Sequence, residues 1–148
     1  MTVRQISTFL QSKPGHLARM LGLFQDAGVS VRGYSVSDTG DYGIGRFIVD
    51  DPDAAIAVLE REGAAHAETE VICLLLEDTP GNLAQVMEVL AACGVNVSYS
   101  YSMISTYIII KTSDVDAAKD ALAATSLTLV SQEDIRRASA LRAEGAQA

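Results

Sequence analysis

An internal repeat is the feature that most restricts how this 148-residue chain can fold. Lys13–Val31 returns 66 residues later as Thr79–Val97, with its Pro-Gly, Leu-Ala and Gly-Val pairs in the same places. Asp51–Ala55 is matched by Asp114–Ala118 at an offset of 63, so the second copy lacks three residues in between. The loss is expected where residues 38–41 read as a turn, because loops tolerate changes of length. Two such copies predict two similar small units.

Each copy carries the same series of secondary-structure patterns. A strand-like run precedes each Pro-Gly pair, and apolar residues then recur at helical spacing until Gly28 or Gly94 ends the helix. Asp51 before Pro52, and Ser113 with Asp114, signal second helices near 52–62 and 114–124. Four strands are predicted in the first copy, at 5–11, from 29–31 onwards, at 44–49 and at 66–69. Four are predicted in the second copy, at 71–76, from 95–97 onwards, at 106–111 and at 127–130.

The order βαββαβ, found twice, predicts an α+β fold of two tandem ferredoxin-like units. Each unit should have an antiparallel sheet with both helices on one face. Residues 1–69 and 70–133 are predicted to form the two units, and residues 134–148 a C-terminal tail. Ser131, followed closely by acidic residues, predicts a short helix in this region before Gly145.

Composition argues against several classes of function. Nineteen acidic and eleven basic side chains give a net charge of −8, which argues against nucleic-acid binding because phosphates are repelled. No apolar run approaches the roughly 18 residues of a membrane span, and the N-terminus lacks the pattern of a secretory leader, so we expect a cytoplasmic protein without membrane contact. Cys73 and Cys93 fit neither a disulfide framework nor a metal motif, and are predicted to be small core residues.

Side chains that could carry catalysis are scarce. His16 and His66 are the only histidines, and they share no motif spacing with a cysteine or a carboxylate. No nucleophile, metal or nucleotide-binding motif is present in the sequence. We therefore predict no catalytic activity, cofactor or metal, with a small ferredoxin-like enzyme as the less favoured alternative.

The repeated turn between strand and helix, Gln11–Leu17 and Glu77–Leu83, is the candidate site. A helix N-terminus attracts a carboxylate, and its glycine lets a ligand approach the backbone. The alternative is that Pro-Gly only starts the helix, with Ser12 and Asp78 or Thr79 as caps. The strand after the second helix pattern alternates, with Asn96, Ser98, Ser100 and Ser102 on one face and Val97, Tyr99 and Tyr101 on the other. The polar face suits either solvent or a hydrogen-bonding wall.

The doubled pattern PG-x-L-A, followed by Gly-Val-(Ser/Asn)-Val, resembles the ACT-domain family. Residues 3–133 carry the resemblance, and Asp41–Arg46 before Asp51 is similar to stand-alone tandem ACT proteins. The resemblance implies amino-acid binding where the turn of one module faces the second strand of its neighbour. The residues so implied are Ser12, Lys13, Gly15 and His16 in the first turn, Asp78, Thr79, Gly81, Asn82 and Leu83 in the second, and Ser30, Arg32, Tyr34, Asn96, Ser98 and Tyr99 on the strands.

The first copy departs from the family's pattern at Ser12, where an acidic residue or Asn is usual. We therefore expect the better site at the second turn, around Asp78 and Gly81. The resemblance implies a regulatory protein that binds a small molecule, an amino acid, and that forms a homodimer. The alternative is a regulatory or assembly subunit that acts on a partner enzyme of amino-acid metabolism mainly through protein contacts. Tyr99 and Tyr101 leave room for an aromatic or imidazole ligand side chain.

Overall fold

The computed structural model describes residues 1–103 and 107–138. They form two compact units, each built around one copy of the repeat. The first unit consists of residues 4–69 with residues 133–138, and the second of residues 1–3 and 70–132. Thr106, the predicted start of a strand, and the stretch of the predicted tail that contains Gly145 lie outside the described residues.

The elements follow the predicted order βαββαβ in both copies. The first copy contains β1 (Val3–Gln11), α1 (His16–Asp26), β2 (Val31–Asp38), β3 (Tyr42–Val49) and α2 (Pro52–Arg61), followed by β4 (His66–Leu75). The second copy continues with α3 (Asn82–Ala92), β5 (Val97–Ser102), β6 (Tyr107–Thr112), α4 (Val115–Ala123) and β7 (Thr128–Leu129). A further helix, α5, covers residues 132–138 of the described chain.

One pair of predicted strands is a single strand in the structure. The segments expected at 66–69 and 71–76 run together as β4, His66–Leu75. No glycine or proline lies within this stretch, so nothing in its sequence interrupts the extended backbone. The prediction of two separate strands here was wrong.

The first unit has the strand order β2-β3-β1-β4, with β3 antiparallel to both of its neighbours. Side chains of β1 and β3 that point to one face meet side chains of α1 and α2 in a buried core. Phe24 of α1 and Phe47 of β3 lie at its centre, edge to face with ring centroids 5.5 Å apart. The core consists of Ile6, Leu10, Met20, Phe24, Val29, Phe47, Val49, Ala55, Val58 and Leu59.

The second unit repeats this arrangement with the order β7-β4-β6-β5. Its core is aliphatic throughout, and consists of Ile72, Leu74, Val86, Leu90, Val95, Ile108, Ile110, Ala118 and Leu122. The predicted α+β, ferredoxin-like architecture is therefore confirmed for both units.

A register shift near the start of β2 and of β5 changes which residues share a face. In β5 the shift lies between Val97 and Tyr99, and Val97 packs against the core. Ser100 and Ser102 pair with the core residues Ile110 and Ile108, so both serines lie on the same face as Val97. The strict alternation predicted for this strand, with Val97 beside the tyrosines, was wrong.

The missing three residues of the second copy fall in the hairpin between its second and third strands. Val36 pairs with Gly45 across this hairpin in the first unit, and Ser102 pairs with Ile108 at the equivalent place in the second. The hairpin of the first unit is longer, and it includes Asp38, the last residue of β2, which pairs with Gly43 of β3.

Candidate functional site

The two strand-to-helix turns have the same backbone geometry. Gly15 and Gly81 precede their helices in the left-handed region, with φ of 85° and 91°. L-residues with a Cβ adopt this region rarely, which explains the glycine in both copies. Each glycine carbonyl accepts the first helical hydrogen bond, from Arg19 N–H and Gln85 N–H, both at 2.9 Å.

The N-termini of α1 and α3 differ from those of the other two helices of the repeats. In the described chain no side chain caps α1 or α3, and neither helix has an acidic residue in its first turn. Asp51 and Asp114, in contrast, accept hydrogen bonds from Ala54 and Ala117 N–H at 3.1 and 2.9 Å and close α2 and α4. The predicted caps on α2 and α4 are confirmed, whereas the alternative caps Ser12, Asp78 and Thr79 are not seen. The first turns of α1 and α3 are thus available to an anion.

The first residue of α1 and of α3 forms side-chain hydrogen bonds within the turn that precedes it. In the first unit the N–H of Gln11 donates to His16 Nδ1 at 2.6 Å. In the second unit Asn82 Nδ2 donates to the carbonyl of Glu77 at 3.0 Å and to Thr79 Oγ1 at 2.6 Å. His16 and Asn82 therefore hold the turn in shape, a role that the sequence prediction did not assign to them.

A cavity opens beside the turn at the same place in both units. The volumes are about 470 Å³ in the second unit and about 340 Å³ in the first. The equivalent lining positions are Leu10 and Leu76, Gln11 and Glu77, Ser12 and Asp78, Lys13 and Thr79, Leu17 and Leu83, and Val36 and Ser102. The repeat therefore contains a repeated cavity, in which the polar side chains have diverged.

The cavity of the second unit combines acidic, hydroxyl and apolar groups. Its lining residues are Leu76, Glu77, Asp78, Thr79, Gly81, Leu83, Ala84, Ser102, Tyr107 and Ile108. Four predicted residues, Asp78, Thr79, Gly81 and Leu83, thus come together here. Ser102 and Tyr107 join them from β5 and β6, and neither was among the predicted site residues. The polar alternation of β5 was the signal for Ser102.

The cavity of the first unit is bridged by a hydrogen bond from its own chain. Ser12 Oγ donates to Asp38 Oδ2 at 2.5 Å, and the Gly40 N–H donates to Asp38 Oδ1 at 2.7 Å. The Ser12 bond first, and the Gly40 bond second, hold the pKa of the Asp38 carboxyl below its ordinary value. A charged carboxylate therefore already lies in this cavity, which Ser12, Lys13 and Asp38 line together.

The other predicted residues lie at separate places. Gly15 and His16 line a different cavity of about 510 Å³ with Lys13 and Arg19. Asn96 and Ser98 are exposed, and Tyr99 stacks on Tyr101 with centroids 6.5 Å apart. Tyr101 is next to Ser102 in β5, so the tyrosines and the cavity lie on opposite faces of the strand. None of Asn96, Ser98 and Tyr99 lines the cavity of the second unit.

Two kinds of feature are absent from residues 1–103 and 107–138. Nowhere in these ranges do three His, Cys, Asp or Glu side chains come together as a metal site would require. No helix in the same ranges has both the length and the apolar character needed to cross a membrane.

Known proteins show the same pattern of sequence and fold. A family model described as an ACT domain pair matches residues 1–138. Protein BT0572 from Bacteroides thetaiotaomicron is 29% identical, with a TM-score of 0.86 over 92% of this chain and 96% of that one. The aspartate kinase regulatory subunit from Thermus thermophilus shares the fold at 19% identity, with a TM-score of 0.62 over 82% of this chain and 89% of that one. The one from Thermus flavus does so at 17% identity, with a TM-score of 0.57 over 82% and 90%. Curated proteins give no match.

Proposed function

We propose that this chain, which belongs to the ACT domain pair family, is a regulatory protein that binds a free amino acid in its second unit. The family match confirms the resemblance seen in the sequence. The proposal goes further, to a ligand, a site and a role without catalysis. A protein of this kind changes its assembly or its contacts with a target when the amino acid is bound.

One observation carries the proposal, namely the pairing of an uncapped helix N-terminus with carboxylates in one cavity. The first-turn N–H groups of α3 can donate hydrogen bonds to the ligand carboxylate, and Gly81 has no Cβ to obstruct its approach. Glu77 and Asp78 line the same cavity and can accept the ligand ammonium. Free α-amino acids carry both charges on one carbon, so the two sets of groups match the two ends of such a molecule.

The aspartate kinase regulatory subunits support a regulatory role by analogy of fold. Their description as regulatory subunits suggests that an ACT pair of this size acts on a separate target. The family resemblance seen in the sequence implies that the turn of one module faces a strand of a neighbouring module. Asn96, Ser98 and Tyr99 then remain proposed contacts from β5 to a ligand held by another module. A homodimer is the assembly that we propose. Light scattering with and without the ligand tests this part.

A thermal-shift screen of the twenty common amino acids tests the binding proposal. We expect at least one amino acid to raise the melting temperature, because a ligand at a hundredfold excess over its Kd stabilises the folded state by about 2.7 kcal/mol. If none of the twenty raises it at millimolar concentration, the proposal is wrong.

A pair of glycine variants locates the site. Gly81 and Gly94 flank α3, both have positive φ, and a Cβ at either would meet nothing within 4 Å. Gly81→Ala and Gly94→Ala should therefore each lower the free energy of unfolding by about 1 to 2 kcal/mol. Only Gly81→Ala should also weaken the response to the amino acid. An equal loss of response in both variants would argue against this turn as the site.

An exposed aromatic pair favours the second candidate function, a subunit that acts mainly through protein contacts. Phe9 and Tyr42 are 57% and 46% exposed, and their rings meet edge to face at 5.5 Å. Aromatic side chains are enriched in protein interfaces. A stable enzyme complex that survives Asp78→Asn and ignores every amino acid, but is lost in Phe9→Ser, would favour this second function.

A further inference from the structure

We propose that the second cavity selects a neutral α-amino acid with an apolar side chain and rejects acidic amino acids. The inference rests on the proposed function and adds the ligand class. It follows from the chemistry of the cavity wall and from the contrast with the first unit.

The wall beside the turn is mainly apolar. Four apolar side chains line it: Leu76 directly after β4, Leu83 of α3, and Tyr107 and Ile108 of β6. Leu83, in the first turn of α3, is 48% exposed. A ligand side chain that covered it would remove this apolar surface from water. An apolar side chain gains from this contact, whereas a charged one would lose its hydration against the same wall.

The charge of the cavity excludes a second carboxylate. Glu77 and Asp78 line it, and no Lys or Arg is among the lining residues that the structure describes. The backbone N–H groups of α3 can serve the α-carboxylate of a ligand. A side-chain carboxylate would have no cationic partner and would face two like charges, which weakens binding.

The cavity of the first unit differs from that of the second in its acidic groups. Gln11 and Ser12 stand where Glu77 and Asp78 stand in the second unit, so those positions offer an ammonium group only neutral acceptors and no carboxylate. Asp38 does line the first cavity, but each of its carboxylate oxygens already accepts a hydrogen bond, from Ser12 Oγ and from Gly40 N–H. We therefore assign one amino-acid site per chain, and place it in the second unit.

Calorimetry on the full chain with four probes tests the inference. The probes are leucine, glutamate, leucinamide, which has no carboxylate, and 4-methylpentanoate, which has no ammonium. We expect leucine to bind with one site per chain. Leucinamide and 4-methylpentanoate each lack one charged group that the site pairs with, and glutamate adds a repelled carboxylate, so all three should bind at least about tenfold more weakly.

Two variants separate local from general charge effects. Asp78→Asn should weaken leucine binding and reduce its advantage over glutamate, because one repelling carboxylate is gone. Glu88→Gln removes the same charge from an exposed position of α3 outside the cavity, and should leave the ratio of the two affinities unchanged. Equal changes in both variants would overturn the assignment to Asp78.

The outcomes distinguish the inference from the function on which it rests. Glutamate binding as tightly as leucine, or a charged amino acid binding in place of leucine, overturns the ligand class while amino-acid binding stands. Two sites per chain overturn the assignment to one unit. If none of the twenty amino acids binds, the proposed function itself is wrong.

Discussion

At the scale of single residues, the bond between Ser12 and Asp38 distinguishes the two units most clearly. The hydroxyl of Ser12 satisfies one carboxylate oxygen of Asp38, and the N–H of Gly40 satisfies the other. Both donors favour the charged carboxylate, so the folded protein binds a proton there less readily than the unfolded chain does. The bond therefore makes the stability of the first unit depend on pH.

The direction of this dependence follows from linkage. Asp38 has a pKa below its ordinary value of 3.8 in the folded state, so its contribution is fully present above that pH. It should be lost as the pH falls from about 4 through the lowered pKa. Ser12→Ala removes the largest cause and should move the pKa of Asp38 back towards 3.8, as an NMR titration of its side-chain carbon can measure.

Residue-specific titration is needed because other carboxyls respond in the same direction. Bonds from Arg4 lower the pKa of both Asp53 and Glu68, at 2.7 and 2.8 Å. Ser12→Ala should leave these two pKa values unchanged, which makes them an internal control. An unchanged Asp38 pKa in the variant would show that Ser12 does not hold this carboxylate in solution.

At the scale of secondary-structure elements, the four helices of the repeat divide into two kinds. α2 and α4 begin at aspartate caps, each of which accepts a hydrogen bond from one first-turn N–H, and both have an acidic residue in the first turn. α1 and α3 begin at a left-handed glycine without a side-chain cap. The starts of α2 and α4 are thus stabilised by the chain itself, whereas under the proposed function the uncapped start of α3 serves the ligand carboxylate.

Cap removal tests this division. Asp51→Ala and Asp114→Ala should each lower the free energy of unfolding by about 1 kcal/mol, because each leaves a helix N–H without its acceptor. Urea unfolding measures the loss. Glu60→Ala and Asp120→Ala remove a carboxylate from exposed positions later in the same helices and should stay within about 0.5 kcal/mol of the parent. Losses as large in these controls would mean that charge, not capping, is responsible.

At the scale of the whole molecule, each unit has a core of its own. One core cluster draws on residues 6–64 and the other on residues 72–129. A ligand in the second cavity would contact Leu76 directly after β4, together with α3, β5 and β6, all of which contribute to the second core. The stabilisation should therefore be strongest in that unit.

Hydrogen exchange measures where the stabilisation acts. With the amino acid bound, amides in residues 76–108 of the described chain should exchange more slowly, and those in residues 4–69 should change less. Asp78→Asn should remove the difference. Protection centred on the first unit instead would place the ligand at the turn around Gly15.

Much of the fold was predictable because it depends on local patterns. The repeat gives the number of units, and helical spacing that ends at a glycine gives the position of α1 and α3. Gly45 shows where local patterns fail, because the neighbouring sequence gives no reason for a glycine at this position. In the structure a Cβ there would lie 2.7 Å from the buried ring of Phe47, and the aliphatic second core has Ile108 at the equivalent position.

The sequence by itself determined two βαββαβ units, the place of the two turns and the acidic character of the second one. These follow from residue spacing and residue type, which act over a few positions of the chain. Only the tertiary structure decided that a register shift turns Ser102 towards the core face, and that Tyr107 joins it beside Asp78. It also decided that Ser12 meets Asp38 across 26 residues. Such contacts depend on strand register and hairpin length, which bring distant residues together without leaving a periodic pattern in the sequence.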